Sequence, residues 1–147
     1  MRSNSDCIFC RMVRHELNAI LIQEDEEIFA IMDMYPATSG HVLVLPKQHI
    51  RDIYTMPADI GARLMVTAVA IAKTIKQNLS PDGLNLIQSN EIAAGQTIPH
   101  FHLHIVPRYK GDPVNLRFGH GIAPAKTEEL ERIACLIRSA PLRTPET

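Results

Sequence analysis

The sequence predicts an α+β fold in which an antiparallel β-sheet packs against one long helix. Short apolar runs alternate with turn-forming segments, which is typical of strands joined by hairpins. Residues 58–79 repeat apolar positions at helical spacing. Residues 99–108 alternate histidines with apolar residues, which is the period of a strand. We therefore expect a single domain over residues 1–147, with the strands in a meander and short helices at both ends.

Composition excludes several classes of protein. The chain has 147 residues, of which 46% are hydrophobic and 21% charged, the balance of a globular protein. Its formal net charge of -1 argues against a surface for duplex nucleic acid. No apolar run is long enough to span a membrane, and the polar N-terminus lacks a signal peptide's apolar segment. We expect a cytoplasmic protein. The three cysteines exclude a fully paired disulfide framework.

The first half of the chain is predicted to form a short helix, a hairpin and a third strand. Apolar spacing favours a helix within residues 7–16. Residues 19–23 and 28–32 are β-prone runs separated by four acidic residues, which favours a hairpin. Residues 33–40 form a loop by their Pro, Ser and Gly content. The third strand covers residues 41–45 and ends at Pro46.

The second half is predicted to contain the long helix, two further strands and a terminal helix. The long helix stops at Ser80-Pro81-Asp82-Gly83. A strand follows at residues 84–88, and residues 89–98 form a loop that leads to the histidine strand. After a Gly/Pro-rich loop over residues 109–124, the terminal helix starts at about Thr127. One face of the sheet would pack on the long helix and leave the other as an open site.

The histidine strand predicts a chemical site. A strand would project His100, His102 and His104 from one face. The intervening apolar residues would then enter the core. A strand face that is merely exposed to solvent usually carries Thr, Lys or Glu rather than three histidines. Three imidazoles along one face can instead bind a metal, or supply a nucleophile with its partners.

Four ordered motifs resemble the histidine triad (HIT) family of nucleotide hydrolases and transferases. Gly95-Gln96-Thr97 precedes the run His100-Phe101-His102-Leu103-His104. Upstream stand Cys7-Ile8-Phe9-Cys10, then residues 29–33, and then residues 40–49, which contain Pro46-Lys47. The likeness covers nearly the full chain. The cysteine pair points to the bacterial-type, zinc-containing branch of this family.

The resemblance implies a nucleotidyl hydrolase with a covalent intermediate. His102 would be the nucleophile that attacks the α-phosphate, and water would then hydrolyse the nucleotidyl-histidine. The backbone carbonyl of His100 would orient His102. His104 would bind phosphate oxygens, and His41 resembles the upstream histidine that supports the triad. The substrate would be a purine nucleotide derivative, such as a phosphoramidate or a dinucleoside polyphosphate.

The resemblance also implies a set of substrate-binding residues and no organic cofactor. The carboxylate of Asp33 would accept hydrogen bonds from both ribose hydroxyls. Ribose, phosphate or leaving group would be contacted by Asn90, Gly95, Gln96 and Thr97. The base pocket would be lined by Ile8, Phe9, Leu17 and Ile31. Such an apolar pocket would hold a purine without strong selectivity. Residues 110–124 fit no family pattern, so the leaving group stays open.

The C-x-x-C pair Cys7 and Cys10 has the spacing of a zinc site, although a redox pair can share it. No thioredoxin-like βαβ pattern follows, which weakens the redox alternative. The resemblance implies that His49 and His100 complete a Cys₂His₂ site. A closed four-ligand site would be structural, with zinc supporting the catalytic residues rather than acting in the chemistry.

Three other functions compete with hydrolysis. A nucleotidyltransferase or phosphorylase would use the same intermediate with another acceptor. A zinc-stabilised nucleotide-binding protein would have little catalysis, although His102 argues against it. A metal enzyme would use all three triad histidines as ligands. The resemblance further implies a homodimer, and the wide apolar face of the long helix is compatible with that assembly.

Overall fold

The computed structural model describes residues 6–116 and 123–138. The chain divides into two compact units, residues 1–114 and 115–147, and each is described by itself. The single domain expected over residues 1–147 stays a prediction. Within the described residues, no helix is both long enough and apolar enough to cross a membrane.

In the described residues of the first unit, 6–114, there are two helices, five strands and two short 3₁₀ turns. In chain order these are α1 (Ile8–Val13), β1 (Leu21–Glu24), β2 (Ile28–Met32), β3 (Val42–Pro46), a turn at Ile53–Thr55, α2 (Ala58–Leu79), β4 (Gly83–Gln88), a turn at Ile92–Ala94 and β5 (Leu103–Arg108). The second unit contains α3 (Thr127–Arg138). All predicted helices and strands are present, and α2 has the predicted bounds.

The strands form one antiparallel sheet in the order β1-β2-β3-β5-β4. The predicted α+β class is therefore confirmed. The order departs from a continuous meander at one point. After β3, helix α2 carries the chain to the far edge, where β4 forms, and β5 returns between β3 and β4. This crossover makes the triad strand an interior strand of the sheet.

Both faces of the sheet carry apolar clusters. The larger cluster lies under α2 and includes Val44, Leu64, Ile71 and Ile105. A smaller cluster lies on the opposite face, where Phe29 and Leu45 pack with α1 residues. The open second face predicted from sequence is thus half covered by α1. Burial on both sides explains why β2 and β3 are continuous apolar runs rather than alternating ones.

The triad strand is shorter than predicted, because ladder pairing begins only at Leu103. Pro99 lacks an N–H, and the next two N–H groups bond outside the ladder, from His100 to Ile98 O at 2.8 Å and from Phe101 to Ile50 O at 2.6 Å. The side chains still alternate. Phe101 packs with Leu103 in the cluster under α2, so the predicted separation of apolar residues from histidines is confirmed.

Candidate functional site

Strand register brings an acid and two histidines together at one end of the sheet. Ile31 pairs with Leu43, and Leu43 pairs with His104. The Asp33 N–H donates to the His41 carbonyl at 3.0 Å, which extends the pairing of β2 with β3 beyond the strand ends. Because side chains two apart share a face, Asp33 and His41 lie on the same face as His104.

Hydrogen bonds determine where the protons of two of these imidazoles lie. The Ala37 backbone N–H donates to His41 Nδ1 at 3.0 Å, so neutral His41 carries its proton on Nε2. His41 Nε2 is 2.9 Å from His104 Nδ1 and therefore donates to it. His104 must then carry its own proton on Nε2. This relay makes His104 Nε2 a hydrogen-bond donor.

Burial keeps this relay neutral. Burial and, to a lesser extent, the nearby imidazoles of His102 and His41 lower the pKa of His104 to about 4, against the opposing effect of Asp33. Burial also lowers the pKa of His41. The donor atoms of Asp33, His41 and His104 lie within 4.8 Å of one another, close enough to hold a cation. However, the lone pair of His41 Nδ1 faces the Ala37 N–H and Nε2 holds the proton, so the geometry is that of a relay.

His102 is held in the complementary tautomer. Its Nδ1 lies 2.7 Å from the backbone carbonyl of His100 and donates to it. The lone pair is then on Nε2. Burial lowers the pKa of His102, which keeps the ring neutral at physiological pH. A neutral imidazole with one buried N–H and one lone pair is a nucleophile that needs no further base.

His102 and His104 line a cavity of about 310 Å³, a volume within the range of small-ligand sites. Six residues predicted from sequence to bind the substrate or act on it line this cavity: Phe9, Ile31, Asp33, Thr97, His102 and His104. Its remaining wall is mostly apolar. Asp33 Oδ1 accepts the Tyr35 N–H at 2.8 Å, and Oδ2 lies 3.4 Å from His41 Nε2.

Two of the predicted base-pocket residues do not line the cavity. Ile8 is 42% exposed on the outer side of α1, and Leu17 is half-buried elsewhere. The cavity instead includes Met12, three residues after Phe9 and so on the same helical face. Sequence spacing could have identified Met12. The other lining residues that sequence reasoning missed are Asn18, Ala19, Ile20, Met32, Met34, Tyr35, Leu43 and Ile98.

Three residues predicted to contact the ligand lie in the loop before the triad. The Gln96 amide donates to Arg51 O at 2.7 Å and accepts the Glu91 N–H at 2.8 Å. The Asn90 amide accepts the Ile53 N–H at 2.8 Å. Both side chains therefore hold the loop, and neither lines the cavity. Gly95 provides the turn at a φ of +88° and also lies outside the cavity lining.

A second group of residues meets behind the triad. Cys7 Sγ lies 3.4 Å from His100 Nδ1, and Cys10 Sγ lies 3.2 Å from His49 Nδ1 and 3.6 Å from His100 Nδ1. All four donor atoms lie within 4.8 Å of one another. Tetrahedral zinc, with bonds of about 2.3 Å to sulfur and about 2.0–2.1 Å to nitrogen, sets sulfur–nitrogen separations near 3.6 Å. Two buried thiols and two imidazoles therefore fit a Cys₂His₂ zinc site.

His100 connects the two regions. Its Nε2–H donates to Pro46 O at 2.8 Å, which leaves Nδ1 to face the cysteines. This bond is of the kind that orients histidine ligands of metals. Burial lowers the pKa of His100 to about 4, so the ring is neutral. Since both ring nitrogens are engaged away from the cavity, the three triad histidines do not converge on one metal ion. Of the predicted loop at residues 110–124, residues 117–122 lie outside the described structure.

A family model and curated relatives match most of this chain. The family model of the HIT domain matches residues 14–111. The Bacillus subtilis protein named Protein hit is 33% identical over 138 residues, which are 93% of this chain and 95% of that protein. Adenylylsulfatase HINT3 of Arabidopsis thaliana is 34% identical over 108 residues, which are 74% of this chain and 55% of that protein.

Several solved structures also superpose on most of this chain. SMU.412c of Streptococcus mutans superposes with a TM-score of 0.88 at 36% identity, over 93% of this chain and 86% of that one. A Zn-bound histidine triad family protein of Mycobacterium smegmatis gives 0.71 at 35% identity, over 92% and 98%. A hypothetical histidine triad nucleotide-binding protein of Sulfolobus tokodaii gives 0.69 at 34% identity, over 90% of each chain.

Proposed function

The chain belongs to the histidine triad (HIT) family, and from this membership we propose that it is a nucleotidyl hydrolase. It would cleave the bond between the α-phosphate of a purine nucleotide and its leaving group. The observation that carries the proposal is the pair of complementary tautomers in one cavity. His102 presents a lone pair on Nε2, and His104 presents a proton on Nε2.

The reaction has two displacements at phosphorus. In the first, the lone pair of His102 Nε2 forms a bond to the α-phosphorus, and the bond to the leaving group breaks with its electron pair. The modified ring carries a positive charge, which the His100 carbonyl stabilises through the Nδ1–H. In the second, water attacks phosphorus and releases a proton to the solvent, the electron pair of the P–N bond returns to His102 Nε2, and the nucleoside monophosphate leaves. His102 ends in its starting tautomer.

His104 and Asp33 would hold the substrate during both displacements. The Nε2–H of His104 donates to a non-bridging phosphate oxygen and stabilises the charge that develops there. Asp33 Oδ2 accepts hydrogen bonds from the ribose hydroxyls, since a carboxylate is an acceptor that can take two donors. Thr97, at the cavity wall, lies in the segment that leads into the triad and would contact the phosphate or leaving group.

The adenine ring would occupy the apolar part of the cavity, against Phe9, Ile31 and Leu43. These side chains contact ring faces and offer no hydrogen bonds to base edges, so we expect weak discrimination between purines. Two relatives support a nucleotide ligand by their names. The Arabidopsis relative is an adenylylsulfatase, and the Sulfolobus tokodaii structure is that of a nucleotide-binding protein.

We further propose that zinc binds at Cys7, Cys10, His49 and His100, as the buried donor set and the Zn-bound Mycobacterium smegmatis relative support. With four protein ligands the site is closed, so zinc would stabilise the fold and have no direct part in phosphoryl chemistry. A homodimer is also proposed, and light scattering of the purified chain would test it by mass.

The test of the hydrolase proposal is an intact-mass spectrum during brief, cold incubation with a panel of adenylated substrates. We expect the added mass of an adenylyl group, which is AMP less one water, on the wild-type chain and no such adduct on His102→Ala, which should still bind AMP. Adduct without release of AMP in water, but with transfer to phosphate, would show a transferase. Absence of both adduct and released AMP across the panel would contradict hydrolysis and favour a binding protein.

A further inference from the structure

Helix α1 is shared by the metal cluster and the nucleotide cavity. Cys7 and Cys10 flank Phe9 in sequence, with Cys7 at the N-cap and Cys10 within the first turns. The helix has six residues and no side-chain hydrogen bond at its N-cap. A helix this short is unstable by itself, so its position depends on what its side chains bind.

Phe9, in the first turn of the same helix, forms part of the cavity wall. Its ring is 4% exposed and makes edge contacts with two triad imidazoles, at 5.2 Å between ring centroids for His102 and 5.7 Å for His100. Met12 extends this wall. The position of α1 therefore determines both the shape of the base pocket and the packing against the nucleophile.

We propose that zinc and nucleotide bind cooperatively through α1. Zinc at Cys7 and Cys10 would hold α1 in the position in which Phe9 forms the cavity wall, and a purine packed on Phe9 would hold the same position of the two thiols. Both ligands then favour the same position of α1 over its other positions, so binding of one makes binding of the other more favourable. This inference rests on the proposed function, because it requires both ligands to bind.

Linkage fixes the form of the effect. If zinc raises nucleotide affinity by some factor, nucleotide must raise zinc affinity by the same factor. Couplings between two sites on one small domain are commonly about 5- to 150-fold. We expect about tenfold here, since α1 contributes only Phe9 and Met12 to a cavity with 15 lining residues.

The test uses the full chain and two independent measurements. The affinity for zinc is measured by competition with a chromophoric chelator, with and without saturating AMP, against a blank that contains AMP and chelator alone. The affinity for AMP is measured by calorimetry on metal-free and zinc-loaded chain. The expected result is an increase of about tenfold in both affinities, and the two factors should agree.

The possible failures are distinguishable. A chain that binds no zinc contradicts the proposed metal site, and one that binds no AMP contradicts the proposed nucleotide site. A chain that binds both with a coupling factor near one overturns this inference and leaves the proposed function intact.

Two variants test whether the coupling runs through α1. Phe9→Leu should keep zinc binding and reduce the coupling factor to less than about twofold, because the contact with the purine and His102 is lost. Arg11→Ala changes an exposed side chain on the same helix and should keep the full factor. If circular dichroism shows that the metal-free chain unfolds, AMP cannot be titrated without zinc. The comparison is then between Phe9→Leu and wild type in the factor by which AMP raises zinc affinity. An unchanged factor in Phe9→Leu overturns the route through α1.

Discussion

His100 connects the metal cluster with the nucleotide cavity. The two regions differ in how their functional side chains are held. At the cluster, each of the four donors faces other donors. Three sulfur–nitrogen distances are 3.2–3.6 Å and all four donor atoms lie within 4.8 Å of one another, which matches one closed coordination sphere. In the cavity, backbone groups fix the tautomers of His102 and His41, and one nitrogen of His102 and of His104 is left to act on a substrate. The first arrangement suits stability and the second suits chemistry.

Removal of a zinc ligand should have the largest effect, and it should act on stability. His49→Ala opens the Cys₂His₂ set at a residue that does not itself line the cavity. We expect about one zinc per wild-type chain and a much lower content in the variant. The Tm should fall by at least about 10 °C, since each kcal/mol lost shifts the Tm of a chain this size by about 2–4 °C. Elemental analysis and thermal melts measure both.

The matched control is His15→Asn, which changes an exposed histidine outside the cluster and keeps a residue that tolerates the φ of 58° at this position. Its zinc content and Tm should stay close to wild type. A His49→Ala chain with full zinc content, or a wild-type chain that melts identically after chelation, would contradict a structural metal at this cluster.

Loss of one backbone N–H should weaken catalysis with little effect on binding. Ala37→Pro removes the donor that fixes His41, and through it the tautomer of His104. We expect kcat to fall by about 10- to 100-fold, which is less than removal of a whole donor to the transition state. Nitrogen NMR of the histidine rings would show His104 as a mixture of tautomers. Ala37→Ser keeps the N–H, and equal rates in the Pro and Ser variants would contradict the relay.

The two regions were predictable from sequence to different degrees. The spacing of Cys7 and Cys10 indicated a zinc site or a redox pair, and the resemblance to the HIT family supplied His49 and His100 as the further ligands. The cavity was harder. Apolar residues such as Ile8 and Leu17 resemble core residues, and only the direction of α1 and of the chain after it separates Phe9 and Met12 from Ile8.

The relay and the loop show a further limit of sequence reasoning. The donor to His41 is a backbone group of Ala37, which leaves no trace in side-chain type. Gln96 is the motif residue expected to contact phosphate, but its side-chain amide makes hydrogen bonds with the Glu91 N–H and the Arg51 carbonyl. The alternation of Phe101 and Leu103 with histidines gave the strand faces, although it could not reveal that pairing begins only at Leu103.

A smaller effect should follow from loss of one charge in the cavity. Asp33→Asn keeps an oxygen for the Tyr35 N–H but replaces the charged acceptor for the ribose. A hydrogen bond to a charged group is worth about 1.5–3 kcal/mol, so AMP should bind about tenfold or more weakly. AMP lacking both ribose hydroxyls should bind wild type and variant equally. Asp59→Asn, an exposed acid in the first turn of α2, should leave AMP affinity unchanged.

The response of stability to acid isolates the cavity from the cluster. Burial lowers the pKa of His104 to about 4 in the folded chain, against about 6.5 when unfolded. Above pH 6.5 both states are neutral there, so the group contributes no dependence on pH. Between pH 6.5 and 4 the unfolded state takes up a proton that the folded state does not, so stability falls as pH falls, by at most about 1.4 kcal/mol per pH unit.

Urea unfolding of wild type and His104→Asn at pH 7, 5.5 and 4.5 measures this slope, and the variant should lose less stability on acidification. Because both chains keep the metal ligands, acid release of zinc is common to the two curves, and equal slopes would mean that His104 is not buried as a neutral donor.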